Sequence, residues 1–227
     1  MPTLSCVRTT DSFPPGNRTS SRRPDMERTE VRIVAGSLKG RKVVCMVHEG
    51  MRPTPQMVRE ALFSILGNAV PERVFYDVFA GTGINGLEAI SRGASSVTFL
   101  ERDPKLSGDI EKYLARFEIR EKGTVVRTDV YRWAERWVPP RQPINVFVSP
   151  PFPDLSERHD EFLKLIAMLR EKMADESVLV LQVEDGFDLT VLGDIDNWDV
   201  RKYGRNLLLF LVKGIDDVAS EPETTDS

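Results

Sequence analysis

The stretch FYDVFAGTGINGLEAISRG, residues 75–93, runs an apolar strand into three glycines and then into a helix. Gly81, Gly83 and Gly86 keep G-x-G-x-x-G spacing, and Thr82 sits inside the turn. A glycine turn between a strand and a helix makes a sharp reversal and lets backbone approach a ligand closely. Such a turn belongs to a parallel sheet whose strands are joined by crossover helices.

The rest of the chain keeps that rhythm. Strand patterns fall near residues 74–79, 97–101, 124–128, 144–148 and 178–183, with helical patterns near 84–92, 104–117, 131–137 and 158–173 between them. The alternation predicts an α/β fold with a doubly wound parallel sheet. The chain then changes habit: WDVRKYG and RNLLLFLVK read as an antiparallel hairpin closing the sheet edge. Ahead of the sheet, VRIVAGSLKGRKVVC reads as a hairpin around Gly36–Gly40. The segment RPTPQMVREALFSILGNAV reads as a helix with Thr54 as N-cap and Pro55 at its first position. Its expected apolar face combines Met57, Ala61 and Ile65 with Val58, Leu62 and Leu66.

Four segments follow: 1–27 without structure, 28–70 a basic hairpin and helix, 71–214 the sheet domain, and 215–227 an acidic tail without structure. Residues 1–27 lack an apolar h-region, so a secretory signal is not expected. Their Arg and Ser content weakly resembles a transit peptide, and Met26 is at least as good a start. No apolar run is long enough to span a bilayer. Cys6 and Cys45 offer neither a metal spacing nor a disulfide framework, and His48 and His159 stand alone, so no metal is expected and a reducing cytoplasm is. The net charge of −4 conceals a basic front, 11 Lys/Arg against 6 Asp/Glu in residues 1–60, and a tail of five acids with no base. That asymmetry suits a polyanion met by one face, although charge runs more often only face solvent.

Two acids near the glycine turn narrow the ligand. Glu101 ends the next strand twenty residues after Gly81, where a carboxylate accepts hydrogen bonds from a ribose diol. Asp77 lies four residues before Gly81, where it opposes a pyrophosphate and suits the ammonium of an amino acid. Together they favour S-adenosylmethionine over a nicotinamide dinucleotide. Asp129 ends the third strand and suits an adenine amine, with Val130 against the ring.

The fourth strand ends in Ser149-Pro150-Pro151-Phe152, beside the first strand at the point where strand order reverses and ligands bind. Two prolines fix a stiff extended bend and hold Ser149 in extended geometry. The carbonyls of Ser149 and Pro150 can then face outward, toward an amino group on a flat ring. Phe152 offers that ring a face, and such stacking contributes ~1–3 kcal/mol per base. A plain strand terminator with a packed Phe is the competing structural reading.

At these residues the chain resembles the RsmD-type methyltransferases, which methylate the guanine N2 amine in bacterial 16S ribosomal RNA with S-adenosylmethionine. The likeness spans about residues 31–213 and rests on RIVAGSLKGRKV, RPTPQMVREALFSIL, DVFAGTGINGLEAISRGASSVTFLERD, SPPF and YGRNLLLF in that order. The resemblance implies a seven-stranded Rossmann-like methyltransferase sheet and donor contacts at Asp77, Phe79, Ala80, Gly81, Thr82, Gly83, Glu101, Arg102, Asp129 and Val130. It places catalysis at Ser149, Pro150, Pro151 and Phe152, and RNA contacts on the hairpin and helix start. Arg32, Lys39, Arg41, Lys42, Arg52 and Arg59 are the candidates there, with Tyr203 and Arg205 in the terminal hairpin. It implies 16S RNA or the assembled 30S subunit as partner for a cytoplasmic monomer.

The chain departs from the family at Ser149, where Asp or Asn is usual. A hydroxyl is shorter and also donates, so it accepts less reliably. Serine before Pro-Pro-aromatic does occur in enzymes that methylate cytosine N4 in DNA. Cytosine N4, DNA or a protein glutamine therefore stay open as acceptors, as does an RNA-binding homologue impaired in catalysis. A dehydrogenase is opposed by Asp77.

Overall fold

A computed structural model of the protein describes residues 26–48 and 53–214. The segments expected to lack structure fall outside this range, apart from Met26 and Glu27, which already belong to the first strand; Arg52 also falls outside it.

Strands β1 (Met26–Arg32) and β2 (Lys42–His48) form the expected hairpin, paired antiparallel with Arg32 opposite Lys42. Helix α1 (Gln56–Leu66) follows. Then come β3 (Val74–Val78), α2 (Ile84–Ser91), β4 (Ser96–Glu101), α3 (Pro104–Arg116), β5 (Gly123–Arg127), α4 (Val130–Arg136) and β6 (Ile144–Val148). Helices α5 (Phe152–Glu157) and α6 (His159–Lys172) lead to β7 (Val178–Glu184), and the antiparallel pair β8 (Asp199–Tyr203) and β9 (Asn206–Val212) ends the fold. The seven-stranded sheet runs β5-β4-β3-β6-β7-β9-β8, parallel except where β9 pairs with β7 and β8.

Strand alternation builds a core on each face. Phe75 of β3 packs with the side of α1, α2 and α3, while Tyr76 and Val78 pack with the side of α4 and α6. Ile33, Leu38 and Val43 of the hairpin share the first of these cores. Glu88, fully buried on α2, secures the hairpin by accepting from Val34 N (2.8 Å) and Ala35 N (3.0 Å).

Three local expectations are corrected. Pro55, not Thr54, is the N-cap of α1, and it makes no side-chain cap. The Thr54 hydroxyl instead donates to Gln182 Oε1 (3.1 Å) and accepts from Asn85 Nδ2 (3.0 Å), joining three elements. Only one side of α1 is buried, through Val58, Arg59, Leu62, Phe63 and Leu66, because the sheet covers one stripe; Met57 and Ile65 are 57% and 41% exposed. Finally, α5 is an extra helix. Pro151 and Pro153 do not prevent it, since a first-turn proline gives up an N–H that has no partner there anyway.

Candidate active site

The glycine turn leaves β3 at the sheet's centre, where β4 and β6 flank it. Phe79 adopts φ 65° although it is not glycine, and Gly81 and Gly83 follow at φ 54° and 72°. Side-chain residues held in this region cost ~1–3 kcal/mol and cluster at functional sites. Gly86 serves packing instead: a Cβ there would lie 2.2 Å from the ring of buried Phe99.

Glu101 closes the turn. Its Oε2 accepts from Gly81 N at 2.7 Å and its Oε1 from Asp103 N at 2.8 Å. Burial raises its carboxyl above the ordinary value, against the pull of those backbone donors. Each oxygen keeps a lone pair for a further donor, which fits a ribose diol at this strand end. Thr82 is buried within the turn, Ala80 N is bonded to Leu100 O (2.9 Å), and Arg102 is exposed beside Glu101.

Asp77 lies behind the turn, 1% exposed, with Oδ2 accepting from Gly86 N at 2.8 Å and Oδ1 without a partner among the described residues. Burial pushes its carboxyl up to about 7, with Glu101 adding to the rise and the Gly86 N–H opposing it. Oδ1 is the oxygen left to accept from the expected ammonium. Through Gly86 N, Asp77 holds the turn in place.

Asp129 is also more occupied than expected. Its Oδ1 caps α4 by accepting from Tyr131 N (3.0 Å) and Arg132 N (3.2 Å), and its Oδ2 takes Arg158 Nη1 at 3.0 Å. Burial raises its carboxyl, but Arg158 and the two backbone donors outweigh it and hold the group below the usual range. One acceptor position remains for an adenine amine. Val130 is buried beside it.

Ser149 N donates to Val78 O (3.2 Å), tying the fourth-strand loop to β3 at the reversal of strand order. Among the described residues, the carbonyls of Ser149 and Pro150 accept no hydrogen bond. Pro150 is buried, Pro151 is exposed and caps α5, and Phe152 opens that helix with 46% of its surface exposed. Rigid acceptors and an open aromatic face thus stand side by side.

The basic candidates divide. The turn between β8 and β9, with Arg205 exposed and Tyr203 half-buried, lies at the same sheet edge as the Ser149 loop, since β7 runs parallel to β6 and Asp185 N after β7 bonds Arg205 O (2.9 Å). Arg32, Lys39, Arg41 and Lys42 are exposed on the hairpin, but its loop docks at Ser91, the last residue of α2, away from the glycine turn. Arg59 is corrected as an RNA contact. It is fully buried, its guanidinium donates to Thr54 O (2.6 Å) and Arg32 O (2.8 Å), and its Nε is enclosed with the rest, so it presents no surface to a phosphate.

Sequence reasoning passed over Tyr131, Asp154 and Arg158. An aromatic, an acid and a base scattered over 28 positions carry no spacing signal, and only the fold brings them together.

The chain matches the family described as "Conserved hypothetical protein 95" over residues 31–212. It is 38% identical over 126 residues to ribosomal RNA small subunit methyltransferase D of Haemophilus influenzae, a match spanning 54% of this chain and 64% of that protein. The Escherichia coli K12 protein of the same name is 32% identical over 157 residues, covering 68% and 75%. Among solved structures, the yhhF protein of Escherichia coli superimposes with a TM-score of 0.64 at 27% identity, covering 82% of this chain and 99% of that one. The chain therefore belongs to the conserved hypothetical protein 95 family, the family of the RsmD-type methyltransferases.

Proposed function

We propose that the protein transfers a methyl group from S-adenosylmethionine to the exocyclic N2 amine of a guanine in 16S ribosomal RNA. The observation carrying this reading is the pair of carbonyls at Ser149 and Pro150, which accept no hydrogen bond among the described residues and stand beside a glycine turn that Glu101 closes. The donor supplies an electrophilic methyl on a sulfonium. The protein supplies position. Glu101 accepts from the ribose, Asp129 and Val130 meet the adenine, and the turn from Phe79 to Gly83 wraps the remainder.

An exocyclic amine is a weak nucleophile because its lone pair is delocalised into the ring. The Ser149 and Pro150 carbonyls accept its two N–H groups and favour a pyramidal nitrogen, with Phe152 under the base. Orientation of this kind removes several of the ~7–11 kcal/mol that intramolecularity makes attainable. As the N–C bond forms, the methyl's bond to the sulfonium sulfur would break and leave a neutral thioether, and the nitrogen sheds one proton to solvent. Arg205 and Tyr203 at the catalytic edge, with Arg32, Lys39, Arg41 and Lys42 on the 28–70 extension, carry the RNA. The protein acts in the cytoplasm as a monomer.

Labelled methyl transfer to 30S subunits lacking the modification, to free 16S RNA and to DNA tests the reading. Label at guanine N2 in RNA is expected; label only in DNA, or at cytosine N4, would replace it with the second reading that Ser149 favours, transfer to another amine. Donor binding without turnover on any acceptor would indicate an RNA-binding homologue.

A further inference from the structure

Helix α5 begins with Phe152 and is fastened at both ends to the residues that border the proposed adenine site. In its first turn, Asp154 is buried and its Oδ2 accepts from Tyr131 Oη at 2.8 Å. At its far end, Arg158 sends Nη1 to Asp129 Oδ2 (3.0 Å), stacks its guanidinium 3.9 Å from the Tyr131 ring centroid and pairs with Glu161. Tyr131 in turn meets Phe79, the residue of left-handed backbone that opens the glycine turn, edge-on at 5.8 Å. Asp129 and Tyr131 are two residues apart at the start of α4, so one short segment touches the donor side and both ends of the helix bearing Phe152.

Neither contact is needed to terminate or cap α5. Pro151 caps it without a side chain, and Arg158 N closes it through Asp154 O. A buried acid facing a buried phenol is instead a directional pin. Burial raises the phenol above its ordinary value and Asp154 raises it further, keeping it a donor throughout the neutral range. The Arg158–Asp129 pair is partly exposed and adds direction more than energy.

We propose that Tyr131 and Arg158 are positioning residues that set Phe152 for the target base and couple its placement to the bound donor. This rests on the reading of residues 149–152 as the amine site. Neither residue touches the reacting atoms. The donor, by filling the wall at Asp129 and Val130, steadies Tyr131 and so steadies α5.

Hydrogen exchange of the 152–158 amides, with and without S-adenosylmethionine and with no RNA present, reads the coupling without activity. The wild type is expected to slow exchange there on donor binding, and Tyr131→Phe to lose that slowing while the sheet strands stay protected. In transfer assays Tyr131→Phe should keep its calorimetric donor affinity within about twofold and lose roughly tenfold in kcat, the scale of one charge-assisted hydrogen bond. Asp154→Asn, which keeps an acceptor for the phenol, should retain both readouts, whereas Asp154→Ala should behave as Tyr131→Phe does, and Tyr131→Phe combined with Asp154→Ala no worse than either. Unchanged exchange in Tyr131→Phe, additive losses, or a kcat loss matched by donor affinity would overturn the proposal. Should Tyr131→Phe fail to fold, the Asp154→Asn and Asp154→Ala comparison decides alone. A wild type that shows the donor-dependent slowing yet methylates nothing would instead count against the function reading.

Discussion

Glu101 and Gly81 stand twenty residues apart in sequence and 2.7 Å apart in space, carboxylate oxygen to backbone N–H. The second oxygen of Glu101 holds Asp103 N, which precedes α3, so one side chain fixes the glycine turn of one crossover and the start of the next. A ligand that uses Glu101 therefore meets a group already held in place.

Replacing Glu101 should therefore cost twice. In Glu101→Ala the donor loses its acceptor, and the turn loses a charge-assisted tether of ~1.5–3 kcal/mol. Affinity for S-adenosylmethionine by calorimetry is expected to fall at least about tenfold in Glu101→Ala and less in Glu101→Gln, which keeps one acceptor oxygen. Equal affinity in all three proteins would remove Glu101 from the donor site.

Asp77 makes a pH-dependent prediction with a definite sign. Its folded value of about 7 lies above the ordinary 3.8, so the folded protein holds a proton there that the unfolded chain releases. Its contribution to stability is complete below pH 4 and is lost as pH rises toward and through 7. Asp77→Asn removes that loss. The melting temperature of the variant minus that of the wild type should increase from pH 4 to pH 8, with an upper bound of ~4 kcal/mol in stability. A difference that stays flat or shrinks with pH would show Asp77 ionised at ordinary values.

Arg59 and the hairpin lysine and arginines should separate stability from RNA affinity. Arg59→Met leaves the carbonyls of Thr54 and Arg32, one buried and one part-buried, without their donor, a loss of roughly 1–3 kcal/mol, and should lower the melting temperature. Lys39→Ala and Arg41→Ala alter exposed side chains, so melting should hold while RNA binding weakens and its salt dependence shallows by about one unit for each phosphate left without its cation. Filter binding across a salt series checks this.

The same contrast shows what a single sequence reveals. The sheet strands were legible because apolar runs bounded by glycine, acid or proline have one plausible use, and the expected and observed strand ends agree within one residue. The placement of Gly81, Glu101 and Ser149 at neighbouring strand ends was legible because the turn chemistry is local and the parallel order brings those ends together. Arg59 was not, because a charge in a basic segment looks the same whether it faces solvent or a carbonyl 27 residues away. Helix α5 was hidden by the very prolines that mark the site. Gly86 fits the ligand-binding spacing yet is required by the Phe99 ring behind it, so Gly86→Ala should destabilise by ~1–3 kcal/mol through overpacking, as chemical denaturation would measure.

Ser149 is where the protein's own chemistry is most open to measurement. If the backbone carbonyls of Ser149 and Pro150 accept the target amine, the hydroxyl is an accessory, and Ser149→Ala should retain kcat within about tenfold, the scale of one neutral hydrogen bond. Ser149→Asn adds a side-chain carbonyl that only accepts at its oxygen, and should raise kcat on the RNA amine without changing donor affinity. The bend itself is set by Pro150 and Pro151, so both variants should melt as the wild type does. A Ser149→Ala protein with no detectable transfer would make the hydroxyl the principal acceptor. A Ser149→Asn protein with lower transfer would mean that the loop is shaped around serine, and hence around a smaller or differently placed amine than guanine N2.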